Sequence, residues 1–425
     1  MKNELEKYFD RLWPICRSIT GNGLRESLNI LSEVIPLEII EYPTGTKAFD
    51  WEVPREWNIK EAYIETPDGE RIADFNVNNL HVLNYSIPVD KTVSFDELKE
   101  HIRTLPNQPD AIPYVTSYYS EKWGFCLSQN QLDSLPKEGN YKVKIDSTLE
   151  PGSLSVGHCI LKGETDEEIL ISTYVCHPSM ANNELSGPLA AAFLYKKLAS
   201  LSKRKYTYRF VFAPETAGVI AYLSQYGNHM SAKIKAGFVA TCCGDAGPFT
   251  YKRSKDPTNL ADRAAEHLLR STGLPHSVIN FAVGGSDERQ YCSPGFNMPV
   301  GSLMRTMYQH YPEYHTSLDN KDFISFEALE ETVETYYDIC RILELNGLYF
   351  NKIQHCEPQL GKRGLYPDSL NPDDARTELH NLLHLLSFAD GEMDLIEIAD
   401  RRGTCALNFA KAIAECTEAG ILERL

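Results

Sequence analysis

The spacing of apolar positions changes along the chain, and the changes divide it. Near the amino end, Leu24, Leu28 and Leu31 recur at helical spacing, so residues 3–35 read as two helices around a turn at Gly21-Asn22-Gly23. After Pro43-Thr44-Gly45, from about Phe49 to Ile160, the texture is that of short strands, with EAYIETPDG, NYSIPVD and NYKVKIDS as examples. From Gly157 onward strand and helix patterns alternate. HCILKG, EILISTYV, YTYRFVFAP, KAGFVATCC and PVGSLMRT read as strands, separated by the helical stretches LAAAFLYKKLAS, TAGVIAYLSQYG and NLADRAAEHLLRST. A last helix over roughly Phe326 to Leu345 closes the series.

Such alternation predicts a mainly parallel sheet covered by helices on both faces. Pro358 to Pro372 has the Gly/Pro texture of a linker. Beyond it the order is helix, turn, short helix LIEIADRR, Gly403, a longer helix ending at Gly420 and a short strand, the outline of a winged helix-turn-helix. The predicted organisation is an α/β domain over 1–48 and 158–356, an inserted mostly β domain over 49–157 and a winged helix over 357–425. The insertion is rich in aromatic residues, and Trp51, Trp57, Tyr118, Tyr119 and Trp123 are read as its core rather than as a binding surface.

A chain of 425 residues exceeds one ordinary core, in keeping with this division. The net charge of -17 opposes binding to nucleic acid and to anionic membranes. The winged-helix region repeats that sign: its recognition-position helix, Ala406 to Ala419, carries Lys411 against Glu415 and Glu418. Phosphate binding needs a basic face, so this unit is expected to serve protein contacts or homo-oligomerisation. The amphipathic, charged start MKNELEKYFDRLWPICRSIT lacks the apolar stretch of a signal peptide, and no run of about 18 apolar residues occurs. The expectation is a cytoplasmic protein without membrane spans. Eleven scattered cysteines form no disulfide framework and are expected as reduced, mostly buried thiols. Cys176 adjoins His177, but neighbours on a strand point to opposite faces, which argues against a Cys/His dyad.

The candidate chemistry gathers at strand ends. His177 follows the buried run Ile169 to Val175, and in an open α/β sheet ligands collect at such carboxyl ends. Asn183, Ser186 and Gly187 fit a D-x-x-S-G loop with Asn in place of Asp, and Pro188 suits the first turn of the helix that follows. Glu215 stands in A-P-E-T-A-G after another strand, and His315 is followed by Asp319 in YPEYHTSLD.

This arrangement resembles the zinc aminopeptidase superfamily. It resembles more narrowly the aminopeptidase-like bacterial proteins associated by name with polysaccharide biosynthesis, which share the HPS-ANN-LSG loop, the EYHTS-type segment, the inserted β domain and the terminal winged helix. The resemblance implies His177 and His315 as metal ligands and Glu215 as general base. It also implies that Gly285-Ser286-Asp287-Glu288-Arg289 lies near the substrate pocket, with Asp287 and Arg289 as substrate-binding residues. Three carboxylates of the superfamily pattern are missing, since Asn183, Thr216 and Thr241 stand in their places. Neutral side chains cannot offset two dications held close together, so one zinc ion at most is expected, completed by the Asn183 oxygen or by a displaced Asp245. The implied activity is that of a metal-dependent aminopeptidase or small-molecule amidase acting on a small peptide or amino-acyl conjugate. The alternative is a catalytically inactive aminopeptidase-like protein that binds or regulates through its winged helix.

Overall fold

The computed structural model describes residues 1–366 and 371–425; residues 367–370 of the expected linker lie outside the described set. The alternating pattern resolves into one eight-stranded sheet. Its strands in chain order are β1 (Glu38–Pro43), β2 (Ser153–Leu161), β3 (Glu168–Tyr174), β4 (Thr207–Ala213), β5 (Ile234–Ala240), β6 (Phe249–Lys252), β7 (His276–Ile279) and β8 (Val300–Met304). Their spatial order is β1-β2-β4-β3-β5-β8-β6-β7. The central four, β4, β3, β5 and β8, are parallel, with Ile171 facing Phe210 on one side and Phe238 on the other. Towards the edges β1 pairs antiparallel to β2, β2 to β4 and β6 to β8, while β7 runs parallel to β6.

Every residue of β3 and β4 is buried, because helices cover both faces of the sheet. Ile169 and Ile171 join the core beneath helices Lys2–Leu12, Ser186–Ala199, Leu260–Thr272 and Phe326–Leu345. Leu170, one residue out of phase, joins the opposite core under helix Ala217–Lys233. The carboxyl ends of the four parallel strands therefore open at one edge of the sheet. The chain after β3 carries His177 there, and the chain after β4 carries Glu215.

At the amino end the helices are Lys2–Leu12 and Asn22–Leu31. The intervening residues 13–20 are not helical, and the turn at Gly21 has φ 101, a conformation that glycine adopts without strain. The inserted region between β1 and β2 builds a four-stranded antiparallel sheet in which Glu56–Glu65 and Asn140–Glu150 are the long central pair. β2 itself begins at Ser153, ahead of the boundary expected at 157. Trp57 is buried and Trp123 stacks on His101, as core aromatics do. Trp51 and Tyr119 depart from expectation, being 39% and 55% exposed and packed edge to face.

The carboxyl-terminal unit has the winged-helix order: helix Pro372–Phe388, strand Asp390–Asp394, helix Leu395–Arg402, helix Ala410–Glu418 and strand Leu422–Arg424. Its three-stranded sheet is centred on Leu348–Asn351, a strand that precedes the boundary expected at 357. The eleven cysteines are all free, and nine of them are buried. Among the described residues, no helix is long and apolar enough to cross a membrane.

Two positions test how this scaffold is held. A Cβ on Gly187 would lie 2.3 Å from the Ala240 carbonyl oxygen and 2.6 Å from Thr173 Oγ1, so Gly187→Ala is expected to lower stability by about 1–3 kcal/mol in urea unfolding. Arg25 ties helix Asn22–Leu31 to the insertion through a two-pronged contact with Glu56, at 2.9 and 2.6 Å, and holds that carboxyl down to about 2. A depressed carboxyl stabilises the fold above its unfolded value and loses that effect as pH falls through the folded value. Arg25→Met is therefore expected to cost about 1 kcal/mol at neutral pH, a magnitude limited by partial solvent exposure. The difference between the two proteins should shrink as unfolding is repeated at pH values falling from about 4.5.

Candidate functional site

The loop after β3 is built to hold one imidazole. Past Tyr174 the chain leaves the strand, and a π-helical turn over Ala181–Leu185 leads into helix Ser186–Ala199. Such turns widen the backbone spiral by one residue and recur at functional sites. This one carries Glu184 inward, fully buried, where one carboxylate oxygen lies 2.8 Å from His177 Nδ1 and the other accepts the Cys176 backbone N–H. Beneath it lies Arg17, also fully buried, from the non-helical segment between the first two helices. Its Nε donates to the His177 carbonyl at 3.0 Å and its Nη1 to the Leu12 carbonyl at 2.7 Å. Burial raises Glu184 to about 8 against the pull of the Arg17 guanidinium, and burial with the same cation drops His177 to about 3.

Two proton placements satisfy this pair. Either Nδ1–H donates to a Glu184 carboxylate and Nε2 offers a lone pair, or a Glu184 carboxylic acid donates to Nδ1 and Nε2 carries the hydrogen. Only the first makes Nε2 a ligand, and it is the orientation in which a carboxylate fixes a metal-binding imidazole. Nε2 lies 3.8 Å from Glu215 Oε2.

Glu215 arrives from a strained turn. Thr216 has φ 64 and ψ -73, and the Ala217 N–H bonds the Glu215 carbonyl at 2.7 Å, a γ-turn of the rare, strained hand. Asp287 and Arg289 brace it: Asp287 Oδ1 accepts the Thr216 N–H at 2.8 Å, and Arg289 Nη2 donates to Thr216 Oγ1 at 2.9 Å. Burial raises the Glu215 carboxyl, with Arg289 pulling the other way, and burial beside Glu215 raises Asp287 further still.

His315 completes the group. Its ring centroid is 5.4 Å from that of His177, its Nε2 is 3.1 Å from Asn183 Oδ1, and Tyr314 stacks on it at 3.9 Å. Burial and the neighbouring His177 lower it to about 3, so both imidazoles are neutral. Asp319 sits behind, its carboxylate oxygens accepting the N–H groups of Asn182 and Asn183 at 2.6 and 2.9 Å. The cleft over these residues has a volume of about 270 Å³, and its lining includes His177, Glu215, Thr216 and His315.

The sequence-derived candidates thus separate. His177, Asn183, Glu215 and His315 come together. Asp245 does not join them: its carboxylate accepts from the Thr306 N–H at 3.0 Å, Thr306 Oγ1 at 2.6 Å, the Gly247 N–H at 2.8 Å and Asn182 Nδ2 at 2.9 Å, and so braces the loop after β5. Asp287 and Arg289 bear on the cleft through Thr216 and are not part of its lining. Strand alternation does not govern Cys176 and His177, since β3 ends at Tyr174; Cys176 Sγ lies 3.3 Å from His177 Nδ1. Burial raises that thiol well above its usual range, so it is no nucleophilic thiolate. Glu184 and Arg17 escaped sequence reasoning. An acid amid the otherwise uncharged stretch Met180 to Leu185 was a usable signal for Glu184, whereas nothing local marks Arg17.

The His177 and His315 ring centroids are 5.4 Å apart, although among the described residues the donor atoms of His177, His315 and Glu215 do not all lie within 4.8 Å of one another. With Zn–N of about 2.0–2.1 Å and a tetrahedral angle, imidazole centroids stand about 5 Å apart. The cation would replace the present hydrogen bond from His315 Nε2 to Asn183, gaining that side-chain oxygen as a third donor. Two neutral nitrogens and one neutral oxygen with Glu215 nearby suit one dication and not two. A different grouping, Cys176, His177 and Glu184, has donor atoms within 4.8 Å of one another, but its thiol is held protonated and Arg17 lies beneath it.

Comparison with known proteins identifies the family and the fold. Residues 6–346 match the family described as a domain of unknown function (DUF4910), and residues 348–424 match a winged helix-turn-helix. A Clostridium acetobutylicum protein, provisionally named a polysaccharide biosynthesis protein with aminopeptidase-like domain, is 48% identical over 400 residues, 94% of this chain and 91% of its own. A crystal structure of a provisionally named peptidase from Clostridium acetobutylicum superposes with a TM-score of 0.93 at 45% identity, covering 100% of this chain and 96% of that one. BSAP, a zinc aminopeptidase from Bacillus subtilis, shares the fold with a TM-score of 0.55 at 12% identity over 79% of this chain and 93% of its own. The scaffold is therefore aminopeptidase-like, and the chain belongs to the DUF4910 family, here joined to a carboxyl-terminal winged helix-turn-helix.

Proposed function

We propose that the cleft is the active site of a single-cation hydrolase of the aminopeptidase or small-molecule amidase type. The observation that carries this reading is the His177 imidazole, oriented by Glu184, with Nε2 3.8 Å from Glu215 and the His315 ring 5.4 Å away in the same cleft. His177 Nε2, His315 Nε2 and Asn183 Oδ1 would hold the ion, three protein donors being the number that catalytic zinc sites use. Zinc bound there supplies Lewis-acid polarisation of the scissile carbonyl.

The remaining chemistry belongs to the chain. Glu215 takes a proton from the attacking water as the water oxygen bonds to the carbonyl carbon, and returns it to the nitrogen as the C–N bond breaks. A carboxyl raised by burial is a stronger base than one in water, which suits both transfers. The γ-turn at Thr216, braced by Asp287 and Arg289, fixes where that carboxyl stands. The aromatic wall of Tyr114, whose ring lies 4.9 Å from His177 and 5.2 Å from His315, limits the water that reaches it.

A second reading, an inactive binding or regulatory relative, is favoured by one observation. Each neutral residue at a lost carboxylate position already has a partner: Asn183 holds His315, Thr216 accepts from Arg289, and the Thr241 hydroxyl bonds that of Tyr174.

Metal content and one substitution separate the two. Protein purified without chelator should carry about one zinc per chain, and paired His177→Ala, His315→Ala substitution should abolish it, because three protein donors define the site. Wild-type protein with no transition metal by mass spectrometry would remove the hydrolase reading. Glu215→Gln should keep its metal while kcat falls about 10²–10⁴-fold on aminoacyl anilides or N-acyl amino sugars. Absence of wild-type turnover on both classes favours the inactive relative.

A further inference from the structure

The exposed aromatics that sequence patterning assigned to the core border the cleft instead. Trp51 and Tyr119 pack edge to face at 5.5 Å, and both line the cavity that holds His177 and Glu215. Trp51 comes from a short hairpin, paired through Ala48, and Tyr119 occupies a left-handed backbone position at φ 65. Tyr119 is held in that costly conformation while 55% exposed, with its ring packed against Trp51 and Tyr118. Deeper in, Tyr114 and Tyr118 join hydroxyls at 2.9 Å, and Thr116 and Thr216 add two more. The lining is thus ring faces outside and hydroxyls within.

Charge is sparse there. Glu215 is the one carboxylate of the lining, and behind Thr216 stand both the Asp287 carboxyl, on its N–H, and the Arg289 guanidinium, on its hydroxyl. A substrate presenting a free ammonium beside the scissile bond would need a further acid to receive it, and the lining offers none besides Glu215, the proposed base. A neutral ring bearing hydroxyls meets no such penalty: its C–H face lies on Trp51 and Tyr119, and its hydroxyls exchange hydrogen bonds with the tyrosine and threonine oxygens.

Building on the hydrolase reading, we infer that the cleft takes an N-acylated amino sugar, a neutral hydroxylated ring carrying the amide, rather than a peptide with a free amino terminus. Trp51 and Tyr119 are the stacking platform, and the lining holds no carboxylate besides Glu215 to receive an ammonium.

Binding tests this independently of turnover. Saturation-transfer NMR on the full chain, with N-acetylglucosamine and alanyl-alanine as probes, should show transfer to the sugar at millimolar concentration and none to the dipeptide. Trp51→Ala and Tyr119→Ala, both at exposed positions, should each weaken sugar binding about tenfold or more. Preference for the dipeptide, absence of sugar binding in wild type, or sugar binding undiminished in both variants overturns the inference. Sugar binding that depends on Trp51 in a protein lacking metal and turnover sustains it and removes the hydrolase reading alone.

Discussion

The arrangement on which the site depends is a buried guanidinium and a buried carboxyl group that both fasten His177, the first at its carbonyl and the second at its ring. Arg17 and Glu184 are both fully buried, and the attraction of the guanidinium offsets part of the burial that raises the Glu184 carboxyl. Glu184 is stabilised by Arg17, by the Cys176 N–H and by His177, while Arg17 fastens the carbonyls of Leu12 and His177. The pair therefore anchors the loop after β3 to the amino-terminal segment. The direction in which His177 Nε2 points follows from that anchor. The π-helical turn that brings Glu184 inward is in turn capped by Asp319, whose segment also carries His315, so the two imidazoles are positioned by one connected hydrogen-bond network.

Around this network, backbone strain gathers. Ser179, Thr216 and His315 all have positive φ without being glycine, and each lies in a loop that contributes to the cleft lining. Conformations of this kind persist where the surroundings over-determine them. At Thr216 the determining contacts are Asp287 on the N–H and Arg289 on the hydroxyl, which is why two residues outside the cleft lining bear on the carboxylate within it. With Asn183, Thr216 and Thr241 all neutral, the site carries less negative charge than a two-metal centre requires.

The outer units are tied to the scaffold by different means. The insertion reaches the site directly, since the Tyr114 N–H donates to the His315 carbonyl at 2.8 Å and the Ser317 N–H to that of Ile112 at 2.8 Å. It therefore supplies one wall of the cleft. The winged helix docks at a distance, with Ile396, Ala406, Phe409 and Leu422 sharing a core with Leu268 and Leu343. His267 bridges the two, its Nδ1 2.7 Å from Asp400 and its Nε2 accepting the Ala406 N–H at 2.9 Å.

The sequence by itself determined the alternation of buried strands and helices, the winged-helix order and the strand-end placement of His177 and Glu215. These rest on local periodicity and on the rule that parallel strands share a carboxyl edge. It did not reveal the short strands β6 and β7, four residues each, whose pairing is made by partners distant in the chain. Only the tertiary structure decided that Asp245 turns to Thr306 and that Trp51 and Tyr119 stand at a cleft. Only it set Arg17 beneath His177 across 160 positions of chain. Burial and charge at a site are set by whatever packs against it, and that information is shared among segments that no local pattern connects.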